Sequence, residues 1–87
     1  MVVQALINKI ACTIRLYPNP AHGSFTLEGD VKNAAVKIYD LLGRSISPQI
    51  QRYDEKIMVS TSGLTTGVYY VSVNHGHNTS IHKVVVD

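Results

Sequence analysis

Apolar and polar residues alternate along most of this chain. Phe25 and Leu27 fall on one side of residues 24–28, with hydroxyls and a carboxylate on the other. Val36 and Ile38 share a side and Lys37 opposes them. Ile57 and Val59 likewise oppose Met58. Tyr69, Val71 and Val73 line one face of the next run, and Tyr70, Ser72 and Asn74 line the other. In the last run Ile81, Lys83 and Val85 oppose His82, Val84 and Val86. A period of two marks strands with one buried and one wet face, as in antiparallel sheets. No stretch sustains the helical period of 3.6.

Turn-forming residues punctuate these runs at 18–23, 29–33, 43, 47–48, 60–67 and 74–78. Short runs between evenly spaced turn signals predict an all-β sandwich or barrel. Seven strands are predicted, at about residues 12–17, 24–28, 34–40, 44–51, 55–60, 67–74 and 79–86. Ser47-Pro48 interrupts the fourth, because proline lacks a ladder donor and belongs at an edge or bulge. Residues 74–78, with Gly76 at positive φ, read as a hairpin tip. Gly43 plays the same part in a tight turn over residues 40–44. Pro18 and Pro20 stiffen a corner at 18–23, where Asn19 is expected to bond its own backbone two residues on.

The chain's 87 residues suit one small domain. Such a domain buries only about 60–65% of the surface its unfolded chain exposes, so losing one strand is expected to be severe. Residues 1–13 read as a linker or the tail of a preceding domain, and residues 14–87 as the folded unit. The start of the chain makes a poor secretory leader, since Gln4, Asn8 and Lys9 interrupt its apolar run. No run reaches the roughly 18 apolar residues of a membrane span. The sequence is therefore expected to be a piece of a longer protein.

The residues offer little chemistry. Net charge is +2 and the basic residues are scattered, which argues against nucleic acid as a partner. Cys12 is the one cysteine, so no internal disulfide framework exists. It lies in an apolar alternating run, where a lone cysteine is usually a small core residue. His75 and His77 share a hairpin tip with no thiol or carboxylate beside them, and His82 lies apart, so no metal is expected. Asp40 and Arg44 could hold a pair across a turn, but the expectation is a turn-capping Asp40 and a solvated Arg44, since an exposed pair is worth only about 0–1 kcal/mol. No phosphate-cradling glycine loop and no nucleophile elbow is present. Neither an enzyme, nor a cofactor, nor a small-molecule substrate is expected.

Four strings in order carry more than their separate meanings. They are Tyr17-Pro18-Asn19-Pro20 with Gly23, then Tyr39-Asp40-Leu41-Leu42-Gly43-Arg44, then Leu64-Thr65-Thr66-Gly67-Val68-Tyr69, and finally Lys83-Val84-Val85-Val86. Together they resemble the C-terminal sorting domain (Por secretion tail) of proteins exported by the type IX secretion system of Bacteroidota. The likeness covers about residues 14–87. It departs from the family at Asp87, where a closing basic residue is usual.

The resemblance implies an immunoglobulin-like antiparallel sandwich of about seven strands, at the end of a larger secreted protein. It implies outer-membrane translocation components and a sortase-type protease as partners, a cargo domain ahead, and a destination at the cell surface or outside the cell. The cut would fall within residues 1–14. The residues expected to contribute to recognition are Pro18, Asn19, Pro20, Gly23, Asp40, Gly43, Arg44, Gly67, Tyr69, Lys83, Val84, Val85 and Val86. The last strand is expected near a sheet edge, where exposed backbone templates strand addition by a partner. Two other readings stand beside this one. A carbohydrate-binding or adhesion sandwich would show surface aromatics in a row, and Tyr70 alone does not make one. A structural spacer would have more chain after Asp87.

Overall fold

The structure, a computed structural model, describes residues 14–87. They form eight strands: β1 Ile14–His22, β2 Ser24–Gly29, β3 Ala35–Tyr39, β4 Ser45–Ile46, β5 Ile50–Arg52, β6 Lys56–Ser60, β7 Gly67–His75 and β8 Asn78–Val86. Neighbouring strands give two antiparallel sheets. One runs β1-β2-β6-β5 and the other β4-β3-β7-β8. This is the strand order of an immunoglobulin sandwich with one extra short strand, β4, beside β3.

Alternation sets the core. Phe25, Leu27, Ile57 and Val59 point inward from one sheet, and Ile38, Tyr69, Val71, Val73, Val84 and Val86 from the other. Residues from both inner faces belong to one core cluster, as in a sandwich. Partly buried Ile14, Leu16, Val36, Ile46, Ile50 and Leu64 close its margins. The predicted inward positions of these runs are therefore the ones that pack. Cys12 and the first residues of the predicted first strand lie outside the described residues.

Two departures come from chain segments that change sheets. The predicted strand at 44–51 is two strands, because the chain crosses between sheets at Ser47-Pro48. Before the proline, Ile46 pairs with Ile38; after it, Ile50 pairs with Val59. β1 also crosses. Its first half pairs antiparallel with β2, from Ile14–Gly29 to Tyr17–Thr26. Past the Pro18-Asn19-Pro20 segment, Ala21 instead bridges Val86 of β8 in parallel. Both prolyl peptides, Tyr17–Pro18 and Asn19–Pro20, are cis.

Candidate functional site

The 18–23 corner and the end of β8 form one unit. The Asn19 side chain does not bond its own backbone two residues on. Its Nδ2 donates to the Lys83 carbonyl at 3.1 Å, and its Oδ1 accepts from the Val85 N–H at 3.0 Å. A side-chain amide thus replaces one rung of a ladder where the prolines remove backbone donors. One step further the Asp87 N–H donates to the Ala21 carbonyl at 2.9 Å. The end of β8 therefore lies between β7 and the proline segment of β1, not at the open edge expected of it. Val84 and Val86 are buried; the Lys83 side chain projects outward beside Tyr70.

The 40–44 turn is held by a single carboxylate. Gly43 N–H donates to the Asp40 carbonyl, and Asp40 N–H to the Arg44 carbonyl, both at 3.0 Å. Gly43 has a φ of +82°, which the turn requires and glycine adopts without strain. Asp40 Oδ1 accepts from the N–H groups of Leu42 and Arg44 at 2.9 Å, and Oδ2 from Arg44 Nε at 2.7 Å. The bond from the Arg44 N–H, ahead of those from its guanidinium and from Leu42, holds this carboxyl below the usual carboxylate range.

That shift has a stability consequence. A carboxyl whose folded pKa is depressed stabilises the fold fully above its ordinary pKa, and the stabilisation is lost as pH falls through the lowered value. Asp40→Asn keeps the side chain's shape and removes its charge. Its melting temperature is expected below that of the parent at neutral pH, with the two converging in acid below the carboxylate range. Circular dichroism melts across that range check this; a gap that stays constant with pH would refute it.

The third string closes the loop between β6 and β7. Tyr69, near the start of β7, sends its ring into the core, and its hydroxyl donates to the Thr65 carbonyl at 2.7 Å. The Thr65 hydroxyl is a further partner at 3.1 Å. This is a tyrosine corner, the bond from the start of the sixth immunoglobulin strand back to the chain just upstream. Leu64 N–H donates to the Thr61 carbonyl and Thr61 N–H to the Gly23 carbonyl, both at 2.9 Å, so the loop is tied to the proline corner too.

Register brings all four strings to one end of the sandwich. Tyr39, just before the 40–44 turn, is opposite Tyr70, while Gly67 is opposite Val86 and Val86 bridges Ala21. Ile14 lies at the other end, paired with Gly29, whose N–H bonds the Glu55 carbonyl in the loop before β6. Between the 40–44 turn and the 63–69 segment runs an open groove of about 570 Å³, lined by Arg44, Ile46, Leu64, Thr65 and Val68 among others. Leu41 and Leu42 line it from the tip of the turn, 65% and 78% exposed. The expected residues Gly43, Arg44, Gly67 and Lys83 reach this end from the strands and turns above. Tyr69, Val84 and Val86 reach it from inside, as core.

Elsewhere the residues are dispersed. His75 and His77 flank the β7–β8 hairpin tip, where Gly76 has a φ of +66°; His75 lies 3.4 Å from Asp30, and His22 at the other end lies 3.6 Å from Asp87. Partial burial lowers the His82 pKa, and its ring bonds the Ser80 hydroxyl. Tyr70 is not alone on the outer face of its sheet. Tyr39 is directly opposite it on one side and Lys83 on the other, a row that pairing made and sequence spacing hid.

The chain is 30% identical over 78 residues to an endo-acting ulvan lyase of Formosa agariphila, a match covering 88% of this chain and 15% of that protein. The chain thus spans a small part of the length of the relative it matches. The family model described as the secretion system C-terminal sorting domain matches residues 15–87. That span takes in all four strings and every described strand but the first residue of β1, and the chain belongs to this family of type IX secretion sorting domains.

Proposed function

We propose that residues 14–87 are a folded export tag that does no chemistry of its own. Outer-membrane components of the type IX system read the end of the sandwich that carries the four strings. A cargo domain precedes the tag; the matching segment of the ulvan-lyase relative is likewise a small part, 15%, of a much longer protein. A sortase-type protease then cuts within residues 1–14, leaving the cargo at the surface or released from the cell. The observation that carries this reading is the convergence of the strings at the end remote from Ile14, which leaves their exposed residues accessible while cargo occupies the other end.

The whole chain fused behind a signal peptide and a fluorescent reporter tests it, in type IX-competent cells and in cells lacking the translocon. Reporter is expected outside the outer membrane only in the competent cells, with its mass ending within residues 1–14 of the tag. Periplasmic retention in both strains would sink the reading. The Tyr39–Tyr70–Lys83 row favours a second one, a carbohydrate-binding module, because neighbouring tyrosines on the outer face of a sheet suit a sugar face. Binding on a glycan array, with export unaffected by the tag, would select it instead.

A further inference from the structure

We propose that Leu41 and Leu42 form a two-leucine wedge that enters an apolar pocket on the protein receptor reading this end of the sandwich. This rests on the sorting reading and adds the chemistry of its contact. The two leucines occupy the central positions of the 40–44 turn, where glycine, proline, asparagine, aspartate and serine are usual. The fold gains nothing from them there, since they are 65% and 78% exposed and belong to no core cluster. Single exposed aliphatics are common on protein surfaces; two adjacent ones on a braced tip beside a groove are not.

The bracing matters for binding. Asp40 fixes the turn through its own backbone and through Leu42 and Arg44, so little conformational freedom remains to be lost when the leucines are captured. The groove behind them, floored by Ile46, Leu64 and Val68, offers a matching concavity for a residue of the receptor. A protein pocket fits better than a lipid surface. Asp40 and Arg44 are the only charged residues lining the groove among those described, and they neutralise each other. An anionic membrane therefore finds no unpaired cation lining the groove among the described residues, in contrast to interfacial elements that carry lysine and arginine around their apolar residues.

The double variant Leu41→Ser/Leu42→Ser tests this in the reporter fusion of the whole chain. Ile81→Ser serves as control, because Ile81 is 61% exposed on β8 and lines no part of the groove. Losing burial of one leucine weakens a contact by about tenfold or more. Export of the double variant is expected to fall at least about tenfold with an unchanged melting temperature, Leu41→Met/Leu42→Met to restore it, and Ile81→Ser to match the parent. Parental export by a folded double variant overturns the wedge and leaves the sorting reading standing. Failure of the parent itself to be exported overturns the sorting reading and the wedge with it. Flotation of the parent chain with phosphatidylethanolamine–phosphatidylglycerol vesicles, lost in the double variant, overturns the protein pocket in favour of lipid.

Discussion

Deleting residues 83–87 is expected to unfold the domain. The segment carries Val84 and Val86, at 0% and 2% exposure, and burying each valine is worth about 1.5–3 kcal/mol. It also supplies the partner of β7 from Gly67 to Tyr70 and both backbone groups that Asn19 engages. A domain of this length has about 4–11 kcal/mol of stability in all. The two valines alone account for about 3–6 kcal/mol of burial, before any backbone pairing is counted. Thermal and urea melts of the truncated chain should show no cooperative transition. A transition within a few degrees of the parent would show that the Asn19 clamp and the two valines hold far less than their burial indicates.

The same geometry changes what a truncation says about export. A terminal strand at a free edge could be removed with only its recognition lost. Here the end of β8 lies inside a sheet, so loss of export by the truncated chain reports an unfolded tag. The outward-facing part of the segment is separable only with point changes such as Lys83→Glu, which leave Val84 and Val86 in place. The closing residue fits the same pattern. Asp87 donates its N–H to Ala21 and lies near His22, so the departure from a closing basic residue falls at a position whose backbone is already engaged.

The strands and core were legible because alternation is local. Phe25 and Leu27, Ile57 and Val59, and Tyr69, Val71 and Val73 needed only their neighbours in sequence to be placed inward. Gly43 and Gly76 marked their turns for the same reason, through φ alone. What was not legible depends on partners far along the chain. Pro48 announced a break, yet only the second sheet shows that the chain changes layers there. Asn19 has a plausible local bond, but its two partners are 64 and 66 residues away. The convergence of the four strings follows from strand order, which periodicity does not encode. One available signal was passed over: two leucines at turn positions that favour polar residues mark an apolar tip without any structure.

Tyr69 links stability to the end of the sandwich that carries the four strings, and two substitutions separate its parts. Tyr69→Ala removes an aromatic ring from the core and is expected to cost about 3–5 kcal/mol, enough to leave the tag largely unfolded. Tyr69→Phe keeps the ring and removes only the hydroxyl's bond to Thr65. That bond lies in a part-buried site, so its loss is expected to cost about 1–2 kcal/mol, with melting lowered by about 4–8 °C per kcal/mol. Ile57→Val, in the opposite sheet, costs about 0.5–1.5 kcal/mol and provides a control of similar stability. The corner anchors the loop that forms one wall of the groove behind Leu41 and Leu42. If that wall is part of what the export machinery reads, Tyr69→Phe should lower reporter export more than Ile57→Val at equal melting temperature. Equal export from the two would confine Tyr69 to a structural role and place recognition wholly on the surface of the turn.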